Sequence, residues 1–202
     1  MDVVTTAEEM SYPKALDKEL SEEMDKIAKE NNVSILGTGV NPGFIMDLMV
    51  IMLTGVSESV DNINVTRIND LACFGKAVMV EQGIGLKEEE FIKGAKDNTV
   101  AGHVGFLQSF GMIEEAFGVK FNNVRQEKEP ILTKVPRSTD IVSAEKGDVV
   151  GCRQLGYADL GEKLFITMDH PQQIKPELEN VETGDYIEVN GVPKLKDRKS
   201  VV

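Results

Sequence analysis

Two stretches of this sequence place reactive side chains beside backbone turns. In "TTAEEMSYP" (5–13), Glu8 and Glu9 follow a short β-branched run; in "VSILGTGVNPGFIMDLM" (33–49), Gly37, Gly39 and Gly43 bracket Asn41 and Pro42. A carboxylate at the end of a strand can accept a proton from a substrate ammonium or steer an iminium, and burial raises its pKa toward a useful range. The alternative for Glu8 and Glu9 is a pair of solvated loop charges. The spacing G-x-G-x-x-x-G from Gly37 is a near miss of the dinucleotide fingerprint, in which glycines let the backbone approach a pyrophosphate. An acidic residue should then follow about 20 positions on, at the end of the next strand. Asp61 has that distance but precedes its strand, and Asp70 ends the strand but lies too far along. Pro42 also removes an amide donor from any phosphate cradle. Three uses of the turn stay open: a pyrophosphate, close packing at a sheet edge, or presentation of Asn41 and the helix start to a ligand in the cleft.

These residues need elements to hold them. "DVVTT" reads as a short strand. Leu16, Leu20, Met24 and Ile27 recur every three or four residues, which predicts an amphipathic helix ending at Asn31-Asn32. "VSILGTGV" predicts a second strand and "FIMDLMVIMLTG" a mostly apolar, buried helix. Strand–helix–strand–helix implies a parallel sheet with crossover helices, whose strands end on one rim. Residues 1–55 therefore read as the C-terminal part of a Rossmann-type parallel sheet. Residues 56–202 read as an α+β domain with helices on one face of a mainly antiparallel sheet. In it "VDNINVTRIND" alternates Ile63, Val65 and Arg67 with polar neighbours, "LKEEEFIKGAKDN" and "GHVGFLQSFGMIEEAFG" predict helices, and residues 140–170 predict short strands with glycine turns. The final "PKLKDRKSVV" has little to bury and is expected to fray.

Composition narrows the partners. The 202 residues are 41% hydrophobic and 28% charged, with a net charge of −12 spread along the chain. Such a surface repels phosphate backbones and argues against nucleic acid. No apolar run approaches the ~20 residues needed to span a bilayer, and no basic region precedes an apolar core at the N-terminus. Cys73 and Cys152 stand far apart, and His103 and His170 are the two histidines, a pattern that argues against a disulfide framework or a metal site. A cytoplasmic protein is expected.

The stretches "TTAEEMSYP", "LGTGVNPGFIMDL", "GHVGF", "GCRQLGY" and "MDHPQQIKPELENVETGDYIEVNG", in this order, resemble the 2,4-diaminopentanoate dehydrogenase family of the dihydrodipicolinate-reductase-like dehydrogenases. The likeness runs over nearly all of residues 2–193. It implies oxidative deamination of a small diamino acid, 2,4-diaminopentanoate, to 2-amino-4-oxopentanoate and ammonia in ornithine breakdown, with NAD or NADP as cofactor, in a homodimer. It also implies that the first Rossmann segment and the C-terminal end of the family lie outside this chain, an internal or truncated piece expected to be inactive by itself.

The resemblance gives the residues roles. Glu8 or Glu9 becomes the carboxylate beside the amine. Asn41, Pro42 and Gly43 become a turn at the nicotinamide end of the cofactor, with Asn41 also near substrate, and the near-miss fingerprint becomes coincidence. His103 could bind the substrate carboxylate or relay protons, or else cap its helix. Arg153 could hold the substrate carboxylate with its bidentate fork, or form a structural ion pair. His170, preceding a proline, is expected on extended backbone, structural or at a subunit contact. Two other readings compete: a dihydrodipicolinate-type reductase of a cyclic imine, which would carry adjacent histidines and a lysine, and a non-catalytic substrate and dimerisation module.

Overall fold

In the computed structural model, residues 1–199 are described, and they form two lobes. The first contains β1 (Val3–Thr5), α1 (Lys18–Glu30) and β2 (Ile35–Gly37), with β1 and β2 paired in parallel, Thr5 beside Gly37. Asp17 caps α1 by accepting the Leu20 amide, and the i,i+4 pairs Lys18–Glu22 and Asp25–Lys29 line its outer face. Its apolar stripe is less buried than the periodicity predicts: Leu20 and Ile27 each remain 50% exposed, because a two-stranded sheet is too narrow to cover them.

A turn through residues 41–47 leads to α2 (Leu48–Thr54), shorter than the expected helix and carrying Val50 and Thr54 as its buried residues. Then follow β3 (Ser59–Asp70), α3 (Lys76–Glu81), α4 (Glu88–Asp97), α5 (Phe106–Phe117) and β4 (Asn122–Leu132). The short pair β5 (Arg137–Ser138) and β6 (Ser143–Ala144) precedes β7 (Val149–Leu160), β8 (Lys163–Gln173), β9 (Gly184–Val192) and β10 (Leu195–Lys199). Six strands form one sheet in the order β10-β9-β3-β8-β7-β4, antiparallel except for the central β3/β8 pair. The α/β class and the mainly antiparallel second sheet agree with the sequence reading.

Two expectations are corrected. Residues 140–170 do not make several short strands but contribute to the long hairpin β7–β8, closed by Gly161 at φ +65°. Leu195–Lys199 does not fray: it pairs with β9 from Val189 to Asp185, so backbone hydrogen bonds supply what apolar burial does not. Residues 200–202 of that expectation lie outside the described residues. Strand β4, with its run of polar residues, has no apolar signature because it is an edge strand.

The alternation in β3 holds. Ile63 and Val65 are buried beneath α5, packed with Ile166, Met168, Ile187, Phe106 and Phe110 in the main core. Gly156 is needed there, since a Cβ would come within 2.5 Å of the Phe106 ring. Helix α5 ends at Gly118, φ +64°, the left-handed position that favours glycine.

Candidate active site

Directly above that core, five adjacent strands each contribute one polar side chain to the inner face of the sheet. In register these are Lys128 (β4), Gln154 (β7), His170 (β8), Arg67 (β3) and Asp185 (β9). A transverse row of this kind exists only because the strands lie side by side.

His170 Nδ1 donates to the Arg67 carbonyl at 2.8 Å. Its ring meets that of His103 edge-on, with centroids 5.0 Å apart. His103 sits in the loop before α5, where its amide donates to Gln154 Oε1 at 3.1 Å and its ring also abuts Phe106. Burial holds both rings neutral: His103 is pulled down to about 4, chiefly by desolvation and then by the Arg67 charge, and His170 lies well below its ordinary value. Of the two expectations for His170, the structural one agrees with its place, buried inside its own chain against His103.

Asn41 enters from the turn after β2. Its amide nitrogen lies 3.5 Å from His103 Nε2 and 3.4 Å from Met46 Sδ, while its buried Oδ1 has no hydrogen-bond partner. The Asn41–Pro42 bond is cis, and Pro42 packs so closely on Gly105 that a Cβ there would lie 2.3 Å from its ring. Below it, buried Asp47 accepts from the Gly43 amide and from Ser109 Oγ on α5. Burial nonetheless raises the Asp47 pKa against those hydrogen bonds.

The glycines have a packing reason. A Cβ on Gly37 would overlap the Met10 carbonyl, one on Gly39 would come within 2.5 Å of the Pro42 carbonyl, and Gly43 has φ +118° against Gly39. The space is filled by the protein's own backbone, and the Gly43 amide is already committed to Asp47. The turn therefore does not fit a pyrophosphate cradle. The orphaned Asn41 Oδ1 does fit an N–H donor, such as an ammonium or the carboxamide of a nicotinamide.

Glu8 and Glu9 occupy one turn of 3-10 helix, Glu8–Met10, which follows β1 as the Asn41 turn follows β2. The two segments thus lie on the same rim, in contact where Met10 meets Gly37. The Glu8 carboxylate has a raised pKa, first from desolvation and then from the charges of Glu9 and Glu81. Glu81 ends α3, and its carbonyl accepts the amide of Gly102, next to His103.

Arg153 is not brought into this group. It lies on the outer face of the sheet, where Nε and Nη2 make a bidentate pair with Asp169 at 2.9 and 2.8 Å and Nη1 reaches Glu129. The guanidinium that does point inward is Arg67. Its side chain is 12% exposed, Nε donates to Asn69 Oδ1 at 3.1 Å, and buried Nη1 has no partner. Sequence reasoning placed Arg67 in the alternation of Ile63 and Val65 without drawing the consequence. A cation at an inward position of a half-buried strand was the available signal. Among the described residues, no group of three or more His, Cys, Asp or Glu side chains could hold a metal ion, and no helix is long and apolar enough to cross a membrane.

The chain has clear relatives. The 2,4-diaminopentanoate dehydrogenase from Acetoanaerobium sticklandii is 52% identical over 196 residues, covering 96% of this chain and 56% of that protein. This chain thus spans little more than half the length of its curated relative. Among solved structures, the amine dehydrogenase from Mycobacterium smegmatis superposes with a TM-score of 0.84 at 19% identity, over all of this chain and 59% of the other, and shares its fold. Residues 44–200 match the family model of the 2,4-diaminopentanoate dehydrogenase C-terminal domain, and the chain belongs to that family.

Proposed function

We propose that this chain supplies the substrate side of an NAD(P)-dependent amine dehydrogenase that converts 2,4-diaminopentanoate to 2-amino-4-oxopentanoate and ammonia, a step of ornithine degradation in the cytoplasm. The observation that carries the reading is the buried Arg67 guanidinium with a free Nη1 beside two neutral histidines. A cation buried without a full set of partners is costly, and a substrate carboxylate would complete it. In this reading residues 1–55 are the end of a dinucleotide-binding domain, and residues 56–202 are the substrate and dimerisation domain.

The chemistry follows from the charges. Hydride can leave C4 only from a neutral amine, so the 4-ammonium must first lose a proton. Glu8, exposed on the rim and with its pKa raised by partial desolvation and then by the charges of Glu9 and Glu81, binds that ammonium and takes the proton on a carboxylate oxygen; Glu9 is the neighbouring alternative. A nicotinamide bound beside this rim would supply the hydride acceptor. Glu8 releases that proton to solvent, takes another from the water that adds to the resulting substrate iminium, and returns it to the carbinolamine nitrogen, so that ammonia leaves as the new hydroxyl gives its proton to solvent. Asn41 Oδ1 orients an N–H donor of substrate or cofactor, with Pro42 and Gly43 shaping the turn. His103, neutral near pH 7, acts as a hydrogen-bond partner and not as a cation. A homodimer is part of the same proposal; sedimentation tests it.

The function is tested with this chain joined behind the preceding segment of the Acetoanaerobium relative, by following NAD⁺ and NADP⁺ reduction with 2,4-diaminopentanoate. Glu8→Gln is expected to lower kcat by about 10²-fold or more. Unchanged turnover in both Glu8→Gln and Glu9→Gln would remove the carboxylates from the mechanism. The chain alone is expected not to bind NADH, since the Gly37–Gly43 turn offers no pyrophosphate cradle.

A further inference from the structure

The inner row ends in a charge pair that is conspicuously loose. Arg67 Nε and Asp185 Oδ1 are 3.7 Å apart, beyond hydrogen-bond distance, although the two residues face each other in register across β3 and β9 and both side chains are nearly buried. Every other arginine pair in the sheet's neighbourhood closes more tightly. Arg153 makes its two bonds to Asp169, and buried Arg137 donates to Thr133 Oγ1, Gln173 Oε1, the Ile174 carbonyl and Glu179. Among the described residues Arg67 Nη1 has no partner, and no hydrogen bond holds the Asp185 carboxylate. Burial raises the Asp185 pKa against the pull of Arg67, and the same desolvation lowers Arg67.

A guanidinium with a spare donor beside a carboxylate with spare acceptors is the complement of a group carrying both charges on one carbon. We infer that Asp185 binds the 2-ammonium of an α-amino acid head group whose carboxylate sits on Arg67, and so selects 2,4-diamino acids over acids that lack the 2-amino group. The inference rests on the proposed substrate reading and adds a reason for the second amine. That amine takes no part in the oxidation at C4, yet it would be what Asp185 recognises. The groups facing the pair are Asn69 on the guanidinium and, beyond it in the row, the neutral His170. Neither offers an anion that could replace Asp185.

The experiment is calorimetric titration of the 202-residue chain with two ligand pairs, each differing by the 2-amino group alone: 2,4-diaminopentanoate against 4-aminopentanoate, and 2-aminopentanoate against pentanoate. The wild-type chain is expected to prefer the 2-amino member of each pair by about 10- to 100-fold, the range for a hydrogen bond to a charged group. Asp185→Asn is expected to erase both preferences while leaving 4-aminopentanoate and pentanoate bound as well or better, because a competing anion beside Arg67 is gone. A purely structural role would weaken all four ligands together and would overturn the inference. Equal binding of both members of each pair by the wild-type chain, or no binding of any, would overturn it as well. Should the 2-aminopentanoate preference appear and depend on Asp185 while 2,4-diaminopentanoate fails to bind, the head-group site stands and the substrate reading falls. Asp185→Ser, with its melting curve recorded, serves if the asparagine variant does not fold.

Discussion

Leu20 and Ile27 on α1 leave half of their surfaces in water, and Val4 on β1 leaves 69%; Phe106, Ile166 and Met168, beneath and on the six-stranded sheet, leave none. Both lobes are built from helix and strand, the strands of the second even interrupted by bulges in β3, β4 and β7, so the contrast is not one of local structure. It comes from the area each sheet offers. Two strands about 4.8 Å apart present a face narrower than the helix that must cover it, whereas six strands carry α2 and α5 with apolar side chains to spare. The consequence is a division of labour. The sheet lobe holds its shape and the inner polar row, and the first lobe brings Glu8 and the Asn41 turn to the same rim.

The largest expected effect is at the centre of the sheet lobe. Phe106→Ala should destabilise the chain by about 3–5 kcal/mol, as loss of a fully buried ring in a packed core does, read as a fall in the denaturation midpoint. A loss below ~1 kcal/mol would mean that the core beneath α5 is not closely packed.

Acid should single out the sheet lobe too, since it holds both histidines. His103 is held at about 4 in the folded chain against an ordinary 6.5, so between those values the unfolded chain carries the extra proton. Stability is therefore complete above about pH 6.5 and is lost as pH falls toward 4, by about 3 kcal/mol from this group, with His170 adding in the same direction. Scanning calorimetry at pH 7.5 and 4.5 measures it. His103→Gln should flatten the dependence, and a pH-independent melt of the unmodified chain would contradict the buried neutral pair.

The smallest effect belongs to the first lobe. Leu20→Ala should cost less than about 1 kcal/mol, because the side chain is already half hydrated. A cost near that of Phe106→Ala would show that α1 is covered in solution by something beyond these residues, and the comparison between the lobes would have to be redrawn.

Much of this organisation was legible in the residues. The spacing of Leu16, Leu20, Met24 and Ile27, the alternation of Ile63 and Val65, and Gly118 after an apolar helix fix local conformation through steric and hydrophobic periodicity, which act within a few residues. The resemblance carried by "NPGF" and "HPQQI" pointed to the family before any coordinates did. Strand β4 was missed because its edge position asks for no apolar face, and β10 was missed because its stability comes from pairing with β9.

The sequence by itself determined the class of elements, the rim on which Glu8 and Asn41 lie, and the family. Only the tertiary structure decided which charges meet. Arg153 and Arg67 both sit on strands, and nothing in the spacing told which would face Asp169 on the outside and which would face His170 and Asp185 within. That choice is set by strand order and register, where a shift of one residue turns every side chain to the other face. His103 and His170, 67 positions apart in the chain, meet edge to edge for the same reason.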